Sequence, residues 1–279
     1  MKELINHITA QLATVYPEDE AQALAWWIME EETGLSRSQM LTGCKGTTNF
    51  SNLQAIIERL LHFEPIQYIF GHTLWCGLDL KVTPATLIPR PETAELIKVI
   101  GDRLSVIGKP FRVLDIGTGS GCIAIALKKA HPEWEVTGID ISVEAIEVAK
   151  ENAQRNGVEV AFQVADIMAD ILDFNGTFDV VVSNPPYICE QEKAGMRPNV
   201  LDYEPATALF VPDNDPLKFY RRIAHLHLGT YLFFEINEAF DAEMKELLQK
   251  EGYSDIIVTK DIYGKPRIIE GKMQNNLHN

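Results

Sequence analysis

The stretch Phe111-Arg112-Val113-Leu114-Asp115-Ile116-Gly117-Thr118-Gly119-Ser120-Gly121 decides the fold of this chain. Its first six residues have the composition of a short buried strand, and residues 122–129 repeat apolar side chains at helical spacing. The glycines between them allow a sharp backbone turn and let a ligand approach without meeting a Cβ atom. The first helical turn adds N–H groups that carry a partial positive charge. The stretch therefore predicts a strand, a glycine turn and a helix that bind a nucleoside with a polar or anionic tail.

Strand and helix patterns alternate strictly from residue 92 onward. A helix is predicted over 94–104, and strands are predicted over 111–115 and near 134–140, 160–164, 178–183 and 230–235. The tail adds 254–259 and 267–270 as an antiparallel pair. This alternation is typical of an α/β fold with a doubly wound, mainly parallel sheet, and we expect an antiparallel strand at its C-terminal end.

The spacing of the turn glycines bears on the cofactor. A dinucleotide site follows the pattern G-x-G-x-x-G, whereas here the glycines fall at 117, 119 and 121. The spacing argues against a pyrophosphate cofactor and favours S-adenosylmethionine. The predicted cofactor-binding turn consists of Gly117, Thr118, Gly119, Ser120 and Gly121.

Two further strands end in acidic residues. Asp140 follows the strand at 134–140, about 20 residues beyond the glycine turn, where an acid can accept both ribose hydroxyls. Its alternative role is to cap the helix that begins near Ser142. Asp166 and Ile167 follow the next strand and could contact the adenine amine and ring face. A loop-capping role for Asp166 is equally consistent with the sequence.

The tetrapeptide Asn184-Pro185-Pro186-Tyr187 follows the strand at 178–183. The two prolines stiffen it, the Asn184 amide offers an oxygen acceptor, and the Pro185 carbonyl offers a second one. Two rigid acceptors suit a planar NH2 group, and the Tyr187 ring could lie against its flat face. A plain turn at the end of the strand is the alternative, because Asn-Pro is a common turn dipeptide.

Together these motifs resemble a class I methyltransferase whose acceptor is a planar nitrogen. Three further blocks resemble the N(5)-glutamine methyltransferases of peptide chain release factors, the HemK/PrmC type. These blocks are Pro65-Ile66-Gln67-Tyr68-Ile69-Phe70-Gly71, Pro84-Ala85-Thr86-Leu87-Ile88-Pro89-Arg90-Pro91-Glu92-Thr93 and Tyr203-Glu204-Pro205-Ala206-Thr207-Ala208-Leu209. The resemblance covers the chain from about residue 60. One departure is Ala94, where the family usually has a glutamate, and Glu92 and Glu95 lie close enough to substitute for that acid.

The resemblance implies S-adenosylmethionine as cofactor and the glutamine of the Gly-Gly-Gln loop of a class 1 release factor as substrate, in translation termination. The implied catalytic residues are Asn184, Pro185 and Tyr187. The substrate-binding set adds Pro186 and Arg90, and Asn184 also counts among the cofactor-binding residues. Arg90 lies between two prolines, and it could reach the cofactor carboxylate, the substrate or a surface acid.

The charge balance weighs against nucleic acid as the main partner. The net charge is −15 and the pI is about 4.9, so the chain offers no basic stripe for a phosphate backbone. The charge favours a basic protein partner or serves solubility alone. An adenine-N6 or similar nucleic-acid methyltransferase remains the closest alternative, because the same tetrapeptide can hold an exocyclic amine. A non-catalytic nucleotide-binding module is a further alternative.

Cysteine and histidine patterns predict neither a metal site nor a disulfide framework. The four cysteines form no C-x-x-C pair, and the seven histidines form no H-E-x-x-H motif. The start of the chain has no signal-peptide pattern, and no apolar run reaches the ~18 residues that suggest a membrane span. We expect a cytoplasmic protein, monomeric and not bound to a membrane.

The chain is predicted to have three parts. Residues 1–63 form an acidic helical domain that recognises the substrate, 64–91 a β-hairpin linker, and 92–279 the methyltransferase domain. Trp26 and Trp27 are adjacent on one helix and cannot both face the same core, so one of them covers a neighbouring helix or domain or binds a partner. The segment 188–215 is too long for a simple connection and is a candidate substrate loop or lid.

Overall fold

The structure is a computed structural model, and it describes residues 1–44, 46, 50–171 and 177–274. Two compact units are present. The first comprises Met1–Gly71 and Arg197–Tyr203, and the second comprises His72–Met196 and Glu204–Asn279. The first unit therefore includes a short segment of the predicted substrate loop, whereas its main part ends at a glycine with left-handed backbone conformation.

The first unit is helical. Its helices are α1 (Lys2–Leu12), α2 (Glu18–Thr33), α3 (Arg37–Leu41), α4 (Leu53–Leu61) and α5 (Ile66–Phe70). Their core includes Ile8, Leu12, Ile28 and Leu60. The helices α1 to α4 confirm the prediction that residues 1–63 are helical. The helix α5 differs from the predicted hairpin linker, because Pro65 can begin a helix but cannot donate to a ladder, and Gly71 ends the helix with φ +75°.

Both tryptophans of α2 are half-buried and pack against the core of the first unit. The Trp27 indole donates to Glu31 Oε1 at 3.1 Å, and the Arg37 guanidinium lies 4.6 Å from the Trp26 ring centroid. The expectation that only one of them meets the core is therefore wrong. Adjacent positions on a helix differ by about 100°, and a wide apolar face accommodates both rings at its two edges.

The second unit begins with a β-hairpin of β1 (His72–Trp75) and β2 (Leu78–Lys81), which confirms the hairpin predicted around Gly77. Cys76 and Gly77 have φ values of +50° and +71°, the positive pair that a two-residue hairpin turn of type I′ requires. The Trp75 indole is buried and donates to the Arg90 carbonyl at 2.8 Å, which ties the hairpin to the segment leading into the sheet.

The large sheet has seven strands in the order β10-β11-β9-β6-β3-β4-β5. The parallel strands are β3 (Arg112–Ile116), β4 (Glu135–Asp140), β5 (Ala161–Val164), β6 (Phe178–Ser183) and β9 (Gly229–Glu235). The strand β11 (Pro266–Met273) runs antiparallel to both of its neighbours, β9 and the edge strand β10 (Tyr253–Lys260). The predicted fold class, a doubly wound sheet with an antiparallel C-terminal strand, is confirmed.

Helices cover both faces of the sheet. They are α6 (Thr93–Ser105), α7 (Cys122–Ala130), α8 (Val143–Arg155), α10 (Lys218–His225) and α11 (Asp241–Lys250). One face packs Leu96, Ile100 and Leu127 onto β3 and β6, and the other packs Tyr220, Ile223 and Leu248 onto β9. In sheets of this kind, ligands bind outside the carboxyl ends of the parallel strands, so the residues that follow β3, β4, β5 and β6 are the candidates for the site.

The segment 188–215 carries short structure of its own. It contains β7 (Ile188–Cys189), α9 (Pro198–Leu201) and β8 (Phe210–Val211), with β7 and β8 paired in parallel. The helix α9 belongs to the first unit, and the paired strands belong to the second.

Candidate active site

The glycine turn after β3 is held by the neighbouring strand. The N–H groups of Gly117 and Thr118 both donate to the Ile139 carbonyl at 2.9 Å. Gly119 N–H donates to Asp140 Oδ2, also at 2.9 Å. Gly117 and Gly119 have φ values of +71° and +54°, and a Cβ atom on either would project into open space. The turn therefore leaves open space on the side where Cβ atoms would project, while its backbone is held by hydrogen bonds to Ile139 and Asp140.

Gly121 has a different reason to be glycine. Its φ is +80°, and a Cβ atom there would lie 3.1 Å from Ala149 Cβ, 3.1 Å from Ile125 Cδ1 and 3.2 Å from Phe162 Cζ. The missing side chain lets α7 begin close to α8 and β5. Gly121 thus serves helix packing, whereas Gly117 and Gly119 border the open side of the turn.

Asp115, the penultimate residue of β3, is fully buried. Its Oδ2 accepts hydrogen bonds from Thr118 Oγ1 at 2.6 Å and from Ala124 N–H at 3.3 Å. Its Oδ1 is buried and accepts no hydrogen bond from the described residues. Burial raises the pKa of Asp115 to about 7, although the two hydrogen bonds act in the opposite direction. A buried carboxylate oxygen without a partner points to a cationic or N–H group of a ligand.

Asp140 ends β4 and braces the loop around it. Besides Gly119, its carboxylate accepts the Ser142 N–H at Oδ1, at 2.9 Å. The N-cap of α8 is Ser142 itself, whose side chain accepts the Ala145 N–H at 3.0 Å. A carboxylate has about four acceptor positions, so two remain for ligand hydroxyls, and the ribose role stays a prediction.

Asp166 and Ile167 lie in the loop that follows β5. Asp166 is exposed, and its Oδ1 accepts the Met168 N–H at 2.8 Å, which is the loop-capping arrangement. The Ile167 carbonyl accepts a hydrogen bond from Arg222 Nε at 3.0 Å. The remaining oxygen of Asp166 and the half-buried Ile167 side chain stay candidates for the adenine site.

Asn184 lies directly beside the glycine turn. Strands β3 and β6 are neighbours in register, with Ile116 paired to Ser183, and Ser183 Oγ donates to the Ile116 carbonyl at 2.6 Å. The residues that follow these strands, Gly117 and Asn184, therefore start at the same level of the sheet. The structure thus brings together the cofactor turn and the Asn-Pro-Pro-Tyr motif.

A hydrogen-bonded chain holds the Asn184 side chain. Asn184 Nδ2 donates to Thr93 Oγ1 at 3.2 Å, and Thr93 Oγ1 donates to Glu235 Oε2 at 2.6 Å. Within the described part of the chain, no hydrogen bond reaches Asn184 Oδ1 or the Pro185 carbonyl. The two acceptors that the sequence singled out are therefore not engaged by the described residues, Asn184 at a half-buried position and Pro185 at a buried one.

Tyr187 shares the same carboxylate. Its hydroxyl donates to Glu235 Oε1 at 3.1 Å, and its carbonyl accepts from Asn237 Nδ2 at 3.3 Å. Burial raises the pKa of the Tyr187 hydroxyl above its usual range, and the charge of Glu235 raises it further. Burial also raises the pKa of Glu235, against the bonds from Thr93 and Tyr187 and the charge of Arg267. Tyr187 is therefore a neutral hydroxyl fixed at its polar end.

Arg90 forms an ion pair within the second unit. Its guanidinium donates to Glu204 Oε1 at 2.7 Å, and Glu204 Oε2 accepts the Ile88 N–H at 3.2 Å. Glu204 is buried, so the partner is not a surface acid as one of the three alternatives proposed. The ion pair connects the Pro84–Thr93 block to Glu204, the residue that directly follows the Arg197–Tyr203 segment of the first unit.

Sequence reasoning did not select three residues that the structure places in the site: Asp115 beside the glycine turn, and Thr93 and Glu235 in the hydrogen-bonded chain that holds Asn184. Thr93 and Asp115 lie in motifs whose other members were selected. Glu235 left a weaker signal, a single acid at the end of the apolar strand Tyr231-Leu232-Phe233-Phe234-Glu235. A buried acid at the carboxyl end of a parallel strand is a candidate site residue for the same reason as Asp140.

Neither a metal centre nor a membrane span is found in the part of the chain that the structure describes. No group of three His, Cys, Asp or Glu side chains there could hold a metal ion. No helix there is long and apolar enough to cross a membrane.

Comparison with known proteins adds family evidence to this geometry. Residues 107–259 match the family model of a methyltransferase domain, and residues 3–71 match that of the PrmC N-terminal domain. The release factor glutamine methyltransferase of Bacteroides thetaiotaomicron is 42% identical over 96% of this chain and 99% of its own length. The protein of the same name from Flavobacterium psychrophilum is 41% identical over 97% and 98%.

Solved structures match the fold. The catalytic domain of hMettl16, in complex with MAT2A 3′UTR hairpin 1, has a TM-score of 0.59 at 20% identity, over 96% of this chain and 92% of that one. Human methyltransferase 10 domain containing protein has a TM-score of 0.51 at 22% identity, over 81% and 99%. At such identities the likeness concerns the fold alone.

Proposed function

This chain belongs to the release factor glutamine methyltransferases, and from that membership we propose that it methylates the Gly-Gly-Gln glutamine of class 1 peptide chain release factors. It is an S-adenosylmethionine-dependent enzyme that modifies the side-chain amide nitrogen of a release factor glutamine. The observation that carries the proposal is the adjacency of two motifs. Gly117 and Asn184 follow paired positions of neighbouring strands, so the cofactor turn and the acceptor motif share one edge.

The residues around the glycine turn fit S-adenosylmethionine. Asp115 Oδ1 is a buried acceptor with no partner among the described residues, which suits the cofactor's ammonium group. The open space above Gly117 and Gly119 admits a ligand that a Cβ atom would obstruct. When bound, the cofactor supplies a methyl group already activated on a sulfonium. The proposed binding set is Gly117, Thr118, Gly119, Ser120, Gly121, Asp140, Asp166, Ile167 and Asn184.

The chemical difficulty lies with the acceptor. An amide nitrogen delocalises its lone pair into the carbonyl group and is a poor nucleophile. The enzyme's residues must therefore act by positioning and by electrostatics. We propose that Asn184 Oδ1 and the Pro185 carbonyl accept the two N–H bonds of the glutamine amide. This arrangement fixes the amide plane and presents the nitrogen to the methyl group.

The same two acceptors stabilise the transition state. Positive charge develops on the nitrogen as it is alkylated, and hydrogen bonds to its N–H groups strengthen as that charge grows. The alkylated amide is a strong acid, so one of its N–H protons leaves to water after the N–C bond has formed, and no protein base is required. The Pro185 carbonyl belongs to a stiff Pro-Pro backbone, and the Asn184 amide is held by Thr93, so neither must reorganise. The half-buried Tyr187 ring would cover the amide and exclude water, with Pro186 and Arg90 completing the substrate side.

We further propose that the helical unit selects the protein substrate. It is acidic, it matches the PrmC N-terminal domain model, and its sequence contains no chemical motif. A monomer that acts in the cytoplasm without binding nucleic acid remains our expectation from charge and cysteine pattern.

The test is direct methylation with labelled S-adenosylmethionine. The full-length protein is incubated with an intact class 1 release factor, with the same factor carrying Gln→Asn in its Gly-Gly-Gln loop, and with adenine-containing RNA and DNA. We expect label on the glutamine-containing peptide of the unmodified factor only, located by mass spectrometry. Label on the nucleic acids, with none on the release factor, would replace the proposal by an exocyclic-amine methyltransferase.

A further inference from the structure

A buried carboxylate lies directly behind the acceptor motif. Glu235 ends β9, is 1% exposed, and is flanked along the chain by the core residues Phe234 and Ile236. Both of its oxygens accept hydrogen bonds, Oε2 from Thr93 and Oε1 from Tyr187. Burying a carboxylate in such surroundings is costly, because the charged form loses its hydration. The placement of this acid therefore calls for a role beyond packing.

Counting protons along the chain of hydrogen bonds assigns the direction of each bond. Thr93 and Tyr187 each donate to one oxygen of Glu235, so the single hydroxyl proton of Thr93 is used in this bond. The Thr93 oxygen can then only accept from Asn184, and the amide group facing it at 3.2 Å must be the NH2. If the Asn184 amide were rotated by half a turn, two acceptor oxygens would face each other at this distance.

We propose that Glu235 is a positioning residue that acts through Thr93 to keep the oxygen of Asn184 directed at the acceptor amide. The inference rests on the proposed function. Thr93 is 2% exposed, so water cannot easily take the place of either partner. The carboxylate fixes the polarity of the Thr93 hydroxyl, the hydroxyl fixes the Asn184 amide, and the amide presents its oxygen outward.

The same carboxylate also fixes the far end of the motif. Tyr187 donates to the second oxygen of Glu235, so the first and last residues of Asn-Pro-Pro-Tyr are held by one group. The orientation has a consequence for specificity. An outward oxygen selects acceptors that donate N–H bonds, whereas an outward NH2 would oppose the hydrogens of a primary amide.

Thr93 offers the cleanest variants, because valine has nearly the same shape without the hydroxyl, and serine restores it. We expect Thr93→Val to lower kcat for release factor methylation by about 10- to 100-fold, since an amide free to rotate loses its alignment. The dissociation constant for S-adenosylmethionine should stay within about threefold. Thr93→Ser should keep kcat within about threefold of the unaltered protein, and thermal unfolding of each variant reports whether the fold is retained.

A double-mutant cycle separates positioning from a general structural effect. If Thr93 acts through Asn184, then Thr93→Val should lower the residual single-turnover rate of Asn184→Ala by less than twofold. Glu235→Gln can donate from its amide to the Thr93 oxygen and so permit the rotated form. We expect it to lower kcat by about 3- to 10-fold in the unaltered protein and to have no such effect beside Asn184→Ala.

The ligand-free protein provides a second readout. In ¹⁵N-asparagine-labelled protein, the side-chain NH2 signals of Asn184, identified by their loss in Asn184→Ala, should exchange slowly with solvent. They should exchange at least tenfold faster in Thr93→Val and regain protection in Thr93→Ser. Unchanged exchange in Thr93→Val, or a full multiplicative loss of rate beside Asn184→Ala, would overturn the positioning role. Failure of the unaltered protein to methylate the release factor would instead reject the proposed function.

Discussion

At the scale of single residues, this active site contains strong acceptors and no obvious strong base at the reacting position. Three acids of the site are already engaged: Glu235 by two hydroxyls, Asp140 by two backbone N–H groups and Glu204 by Arg90. Such a set of residues orients and polarises rather than abstracts a proton.

Asn184→Ala removes an acceptor that we place against the substrate. We expect turnover to fall by about 100-fold or more, because the lost hydrogen bond strengthens in the transition state. The affinity for S-adenosylmethionine should change by only a few fold, as measured by calorimetry. Turnover close to that of the unaltered protein, in a folded variant, would contradict the proposed mechanism.

Asp115 links cofactor binding to pH. Its pKa of about 7 in the folded protein exceeds the ordinary value of 3.8, so the folded state favours its neutral form. The stabilisation from this preference is complete below about pH 4 and is lost as pH rises through about 7. The shift corresponds to an ionisation cost on the order of 4 kcal/mol at most.

Asp115→Asn should therefore gain stability relative to the unaltered protein between pH 5 and pH 8, in urea unfolding measured at each pH. It should also lose affinity for S-adenosylmethionine at pH 8, where the carboxylate is charged, and lose much less at pH 6. A difference in affinity that is independent of pH would show that the charge of Asp115 does not attract the cofactor.

At the scale of elements, the glycines of the turn after β3 meet two different requirements, close helix packing and open space for a ligand. The spacing of the glycines in the sequence does not show which glycine meets which requirement. Gly121 is needed for helix packing, whereas Gly117 and Gly119 have open space where a Cβ would stand. Gly157, after α8, has a φ of +66° and is equally open, which makes it a control for backbone strain alone.

We expect Gly119→Ala and Gly157→Ala to lower the free energy of unfolding similarly, by about 1 to 2 kcal/mol each, because a Cβ disfavours positive φ. Only Gly119→Ala should weaken S-adenosylmethionine binding, by about tenfold or more. Equal affinities of the two variants would mean that the ligand does not approach the turn at Gly119.

The prediction of helices and strands succeeded where a segment was long enough for its apolar residues to repeat at a regular spacing. The strands of the sheet and the helix α6 were predicted from apolar spacing, with ends shifted by one or a few residues, and α1, α2 and α4 lie in the segment that was predicted to be helical. The helices α3 and α5 were missed because five residues span little more than one turn. Such helices depend on caps and neighbours rather than on periodicity.

At the scale of the whole molecule, the chain separates chemistry from the proposed selection of substrate. The motifs of the site all lie in the second unit, and the first unit contains ten acidic and five basic residues. Glu18 and Asp19 begin α2 and are exposed, which makes them accessible to a basic protein surface.

We expect Glu18→Lys combined with Asp19→Lys to raise KM for the release factor about three- to tenfold while S-adenosylmethionine affinity is unchanged. The effect should shrink as salt rises, since the Debye length falls from ~10 Å at 0.1 M to ~3 Å at 1 M. Glu243→Lys with Glu246→Lys on α11 of the second unit changes the net charge equally and should leave KM within about twofold. Equal effects of the two pairs would indicate net charge rather than recognition by the helical unit.

The local features of this protein follow from sequence alone. A glycine turn between a strand and a helix, a proline-stiffened acceptor motif and a run of alternating strands and helices each arise from neighbouring residues. They depend on steric limits on φ and on the burial of regularly spaced apolar residues. Both effects act within about a dozen positions of the chain. Because parallel strands end at one edge, the convergence of Gly117, Asp140 and Asn184 could also be predicted.

The tertiary structure decided what holds these residues in place. Glu235 reaches Thr93 across 142 positions, Asn184 reaches Thr93 across 91, and Arg90 reaches Glu204 across 114. Such bonds depend on strand order and register, and no local pattern encodes which distant polar group will meet another. Burial makes each of these pairings necessary. A buried polar group without a partner costs more free energy than a hydrogen bond at the surface contributes.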